Sequence, residues 1–222
     1  MEVRRERSEI INIQKYNEIK KLMYINPDEY ERECCFAREI IFGRQHKTLL
    51  TEFAKDREPK IRKEQIRTDD IAEDDELENV ENLTFSLWLN RNNYDEIYLS
   101  GKYIVNGLIN YSETRITRMQ AMHIINGDTA YMERSGNLLM RQLALYIKYN
   151  QFQAICFREY FEEKYYSADN SKIVNFKSME LKIGSDIIEF FSEKLNPVTD
   201  LDYDRIEMDY IQKIELPAMM QA

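Results

Sequence analysis

Between residues 130 and 166, Leu138, Leu145, Tyr149, Phe152, Cys156 and Tyr160 follow one another at steps of seven, four, three, four and four. Leu139, Leu143, Tyr146, Phe157 and Phe161 line an adjacent stripe. Steps of three and four repeat the turn of an α-helix, so the spacing predicts one or two long helices with a break at Asn150-Gln151. The combined stripes are wider than an ordinary amphipathic face and mark this stretch as the centre of the core. Asp128 or Ser135 is its expected N-cap, because short oxygen-bearing side chains accept from the free amides of a first turn. The run from Tyr165 to Asn170 loses the periodicity and supplies turn residues.

Elsewhere the pattern again favours helices. Ser8-Glu9 opens an amphipathic segment with Ile10, Ile13, Tyr16, Ile19 and Met23 near one face. Asn26-Pro27-Asp28-Glu29 reads as a helix start, with Tyr30, Cys34, Ala37 and Ile41 inward and Gly43 just past the end. A third helical piece carries Leu49, Leu50 and Phe53. Ser112-Glu113 reads as the cap of a helix through Ile116, Met119 and Met122 that stops near Asn126-Gly127. Ser185-Asp186 begins another, with Ile187, Ile188, Phe191 and Leu195, and residues 203–214 read as helix more than strand.

Strict alternation is confined to two places. Phe85, Leu87 and Leu89 alternate with polar neighbours, as do Met179, Leu181 and Ile183, and the two segments predict short strands that pair with each other. Tyr94–Tyr111 fits either state: Ile97, Ile104 and Leu108 suit a helix, whereas Gly101 and Gly107 weaken one. The expected fold class is therefore mainly α, a multi-helix domain with a small β element at 85–89 and 177–183.

Charge divides the chain. Lys55–Arg67 carries six basic residues against three acids, and Asp69–Glu81 carries eight acids and no base. With almost no apolar content this stretch cannot offset its ordering entropy unaided. The expected organisation is an N-terminal helical segment at 1–54, a charged linker or arm at 55–82 and a main helical domain at 83–222.

Composition narrows the classes. At 43% hydrophobic and 32% charged residues, the 222-residue chain is a globular type with enough length for a substantial core. Its apolar runs are too short for a membrane helix, and its charged N-terminus does not resemble a signal peptide. That leads to an expectation of a cytoplasmic protein, or one inside an intracellularly assembled particle. A net charge of −9 argues against a nucleic-acid surface spread over the whole molecule. Within the arm, Lys60, Arg62, Lys63 and Arg67 are the candidate nucleic-acid contacts, because a basic block can displace phosphate counterions. The neighbouring acidic block opposes them within a Debye length of about 8–10 Å.

Chemical motifs are sparse. Cys34, Cys35 and Cys156 have no metal-ligand spacing. His46 and His123 have no nucleophile pattern around them. Asp200, Asp202 and Asp204 open like a calcium loop, but Arg205 replaces the required glycine and Ile211 the terminal carboxylate. No phosphate loop or dinucleotide fingerprint appears, so no catalytic, cofactor or metal residue is expected from local motifs. These features lead to a non-enzymatic assembly subunit as the first expectation, with a virus or phage connector or ring protein as one setting. Its contacts would be other protein subunits, reached through the arm and through Leu216, Met219 and Met220 of the apolar tail. A nucleic-acid regulator using the basic block is the alternative, and an enzyme whose site is assembled from distant carboxylates, marked by a cavity with shifted acids, is the third.

Overall fold

A computed structural model describes residues 2–25, 29–44, 83–182, 190–191 and 206–215. Eight antiparallel strands close into a barrel: β1 (Glu2–Ile11), β2 (Tyr30–Arg44), β3 (Leu83–Asn90), β4 (Ile97–Val105), β5 (Leu108–Ile116), β6 (Phe152–Ser167), β7 (Lys172–Lys182) and β8 (Ile206–Ile214). Their order around the barrel is β1-β5-β4-β3-β2-β6-β7-β8, and β8 returns to β1 over nine paired positions from Val3–Ile214 to Ile11–Ile206. Among the described residues, four helices lie outside the strands: α1 (Ile13–Ile25), α2 (Arg118–Ile125), α3 (Thr129–Glu133) and α4 (Leu138–Asn150).

This overturns the mainly α, multi-helix expectation. In the second half of the central stretch the break falls where predicted, at Gln151 in the left-handed region with φ 57°, but the next element is the sixteen-residue strand β6. Tyr30–Arg44 is a strand, as are Ser112–Ile116 and Ile206–Ile214, all three expected as helix. The 85–89 and 177–183 segments do contain strands, yet β3 pairs with β2 and β4 while β7 pairs with β6 and β8. The ambiguous 94–111 segment is a hairpin, turned by Asn106 and Gly107 at φ 51° and 72°, the two positive angles a tight hairpin turn demands.

Two correct expectations explain how the barrel is covered. Ile13, Tyr16, Ile19 and Met23 do share a helical face, though Ser8, Glu9 and Ile10 belong to β1 and the helix begins at Ile13, and α1 lays this face over Tyr165, Val174, Phe176 and Ile206 on the outside of the barrel. The helix ending at Asn126-Gly127 exists as α2, although its N-cap is Thr117, which exchanges side-chain and backbone bonds with Gln120. It joins α3 and α4 over Phe85, Leu87, Leu89, Ile97 and Leu99, burying Ile124, Met132, Met140 and Leu143 against them. Close approach is possible because β4 has a glycine there: a Cβ on Gly101 would lie 3.3 Å from Leu139. Each fully buried aliphatic side chain stabilises by about 1.5–3 kcal/mol, so these two clusters hold the helices to the barrel.

The apolar core thus lies outside the strands, between barrel and helices. Successive side chains of a strand point to opposite faces, so the positions alternating with this apolar set face the lumen.

Candidate functional site

Cross-strand pairing fixes the lumen-facing set. Moving around the barrel, Ser8 pairs with Asp209, Asp209 with Asn175, Lys177 with Glu207, Glu162 with Lys177, and Glu39 with Arg158. Glu39 also pairs with Trp88, Trp88 with Tyr98, Ser86 with Ser100, Ser100 with Glu113, and Lys102 with Tyr111. Every step joins residues on one face of the sheet, and the hydrogen bonds and ion pairs below run between the same residues. The lumen is consequently polar. Among others, it holds the cations Arg4, Lys102, Arg158, Lys164 and Lys177 and the carboxylates Glu6, Glu39, Glu113, Glu162, Glu207 and Asp209, with Arg115, Lys213, Glu2 and Glu33 on the same face.

Its middle is the densest part. Lys177 Nζ lies 3.0 Å from Asp209, whose carboxylate also accepts a 2.6 Å bond from Ser8 Oγ. The Lys177 ammonium lies 5.6 Å from the centroid of the Tyr160 ring, and the Tyr160 hydroxyl donates to Glu39 at 3.2 Å. Arg158 reaches Glu207 at 3.3 Å. Burial would depress the Lys177 ammonium, yet it is raised, because the fields of Asp209, Glu39, Glu207 and Glu162 outweigh desolvation. The reciprocal holds for Glu39: burial raises it, Lys177 and Arg158 lower it, and the balance lies below its ordinary value. Asp209 is depressed in the same way, chiefly by Lys177 against burial. These groups are ionised at neutral pH.

Beyond one side of this centre, Arg4 stacks on Tyr111 at 3.6 Å and faces Glu6 at 3.3 Å, and Lys102 holds the same carboxylate at 2.8 Å. Beside Glu39 stand Trp88 and Tyr98, with Lys164 between the Trp88 ring, 5.2 Å from its centroid, and Glu162 at 3.1 Å. Asn175 donates to Glu162 at 2.8 Å. Its carbonyl oxygen is buried and accepts no hydrogen bond, and Arg4 Nε and Trp88 Nε1 are buried without an acceptor. Isolated buried polar atoms normally find partners, so these three stand out within the lumen.

Two charged clusters belong to the outer surface and have a structural role. Glu163 accepts from Lys20 at 3.0 Å and also from Tyr16 and Arg32, tying α1 and β2 to β6. Glu159 holds Arg38 and Arg91 beneath Phe190. Among the described residues, no group of three or more His, Cys, Asp or Glu side chains is arranged to hold a metal unaided.

The sequence-derived sites lie elsewhere. Lys60, Arg62, Lys63, Arg67, Leu216, Met219 and Met220 all fall outside the described residues, as do His46, Asp200, Asp202 and Asp204. His123 is paired with Asp128 at 2.9 Å and stacked on Tyr131. Cys35 and Cys156 face the lumen, and burial pushes the Cys35 thiol up to about 12, so it is protonated and inert near neutral pH. None of these ionic lumen residues was expected to form a site from sequence. Their only sequence signal is charge at every second position of a strand, visible once the strand is known.

No protein-family model matches the chain, and no curated protein matches it in sequence. Among solved structures the chain is similar to the PH1819 protein from Pyrococcus horikoshii OT3. That likeness has 9% identity and a TM-score of 0.42, over 97% of this chain and 80% of that one. The chain is also similar to the Schizosaccharomyces pombe Mediator head module, with 7% identity and a TM-score of 0.46, over 99% of this chain and 86% of that one. Likeness this remote carries no argument about function.

Proposed function

We propose that the barrel lumen binds a linear polyphosphate group together with a divalent cation and hydrolyses its terminal phosphoanhydride. The observation that carries this reading is a closed barrel whose apolar core lies outside and whose interior is lined by interleaved cations and carboxylates. Burying unpaired charge is costly, and a barrel filled for stability alone would use apolar side chains there. Arg4, Lys102, Arg158, Lys164 and Lys177 come from strands on different sides of the barrel and offer donors from several directions to a multiply charged anion.

The acids explain why a cation accompanies the anion. A site for a bare polyanion would not surround Lys177 with four carboxylates. Mg²⁺ characteristically takes one or two carboxylates and completes its shell with phosphate oxygens and water, so it needs no preformed protein cage. In the reaction, water attacks the terminal phosphorus, the bridging P–O bond breaks, and orthophosphate leaves with the shortened chain. The water's proton passes to a lumen carboxylate, and the cations neutralise charge on the departing oxygen. This is the third of the sequence-based expectations, an acid site assembled from distant residues.

Calorimetric titration with tripolyphosphate and Mg²⁺ at two salt concentrations tests the binding step. One-to-one binding that is lost in Lys177→Met is expected. A folded wild-type protein that binds no tripolyphosphate in Mg²⁺ refutes the reading.

One observation favours an additional role as an assembly subunit. Leu138, Leu145 and Tyr149, one of the two stripes of the central stretch, lie on the outer face of α4 and are 61%, 48% and 68% exposed. Apolar side chains aligned on one exposed face fit a protein partner. Light scattering of the wild type against Leu145→Glu tests it: a larger mass for the wild type alone supports self-association, and identical monomer masses at every concentration count against it.

A further inference from the structure

Trp88 and Tyr98 stand at neighbouring positions on β3 and β4, on the lumen face, and both are half-buried. On β3, Trp88 follows Thr84 and Ser86 on the same face. The Trp88 and Tyr98 rings are 5.8 Å apart and tilted by 53°, so neither face is closed by parallel stacking on the other. The indole N–H is buried and has no acceptor. What touches the indole face is the Lys164 ammonium, which is shared with Glu162.

We propose that Trp88 and Tyr98 form a stacking subsite for a nucleobase, so that the ligand is a nucleoside 5′-triphosphate. This rests on the lumen being a polyphosphate site. Aromatic faces bind bases of any sequence by stacking, and a lysine beside them ties the subsite to the phosphate path. Phosphate arriving near Lys164 competes for the ammonium that covers Trp88 and frees the indole face for the base. The unmatched indole N–H then donates to a sugar or base oxygen. Spacing agrees: Trp88 adjoins the charged centre through its pair Glu39, and Arg158 lies two strand intervals, roughly 10 Å, away. A nucleoside with its phosphates bridges that span. Tyr111, the ring in contact with Arg4, is already occupied by that guanidinium at 3.6 Å and serves this purpose less well.

The chain contains a single tryptophan, so its fluorescence reports on this subsite directly. The experiment titrates ATP and tripolyphosphate, each with Mg²⁺, into the whole chain as wild type, Trp88→Leu and Tyr98→Leu, with affinities from calorimetry and Trp88 emission followed in the wild type. Expected is roughly tenfold tighter binding of ATP than of tripolyphosphate by the wild type, with strong quenching by ATP alone. In both variants that ratio falls towards one while tripolyphosphate affinity is retained. Equal wild-type affinities, or a preference for ATP that survives both substitutions, overturns the subsite while leaving the polyphosphate reading intact. Failure of tripolyphosphate itself to bind overturns both. Should Trp88→Leu unfold, Trp88→Phe and the wild-type quenching comparison decide.

Discussion

Replacing Lys177 by methionine removes the cation at the centre of the lumen while keeping most of its volume. The side chain is 13% exposed and its partner Asp209 4%, so the pair is largely desolvated. Removing one member of such a pair leaves an uncompensated charge and costs about 3–5 kcal/mol, whereas an exposed pair is worth about 1 kcal/mol or less. The expected loss is about 3 kcal/mol, the low end, because Ser8 continues to donate to Asp209. Adding Asp209→Leu does not restore the whole loss, since Glu39, Glu207 and Glu162 also lean on Lys177. The double variant therefore settles about 1–2 kcal/mol below wild type. Urea unfolding followed by circular dichroism measures both. A single-variant loss under about 1 kcal/mol would mean a wet, screened lumen and would refute the desolvated pairing of Lys177 with Asp209.

The geometry sets three further outcomes. Leu87→Ala, at a fully buried position between β3 and the covering helices, costs about 2–5 kcal/mol by urea unfolding; a smaller loss would mean the helices do not seal that face. Gln151→Gly relieves the left-handed backbone that ends α4 and stabilises by about 0.5 kcal/mol, after allowing for the greater freedom of glycine in the unfolded chain; destabilisation would contradict that backbone angle. Burial would raise the Glu163 carboxyl, but its bonds from Tyr16, Lys20 and Arg32 hold it below its ordinary 4.5. A depressed carboxyl contributes stability above its unfolded value that disappears as pH falls through the folded one. Stability should therefore fall below about pH 4.5, and Glu163→Gln should flatten that part of the profile; an unchanged slope would contradict the latch.

The sequence resisted reading because the barrel is inside out. A strand with an apolar core on one side usually alternates apolar with neutral polar residues, and β3, with Phe85, Leu87 and Leu89, was legible for that reason. In β6 the inner positions are Arg158, Tyr160, Glu162 and Lys164, and the tyrosine among them blurs the alternation. A bulge compounds this. Ile41 pairs with Cys156 and Phe42 with Ala154, so Ile155 is the extra residue. It places Phe152 and Phe157, five positions apart, in the same cluster, which an even alternation forbids. In β2, Cys34, Ala37 and Ile41 are separated by three and four positions without sharing a buried face, since the outer cluster takes Ile40 and Phe42 instead. The helical pattern was informative where a helix had one face to bury, as in α1, and the turn at Asn126-Gly127 was read correctly. The site itself was illegible: its ion pairs join residues such as Lys102 to Glu6 and Lys177 to Asp209, positions that only barrel closure brings together.

The most direct test of the central claim is orthophosphate release from tripolyphosphate by the purified chain, with and without Mg²⁺, compared with Arg158→Met. Release is predicted to require the cation and to fall at least about a hundredfold in the variant, the scale of losing one donor to a developing oxyanion. Release by the variant at the wild-type rate, or none from a folded wild type supplied with Mg²⁺, would contradict it.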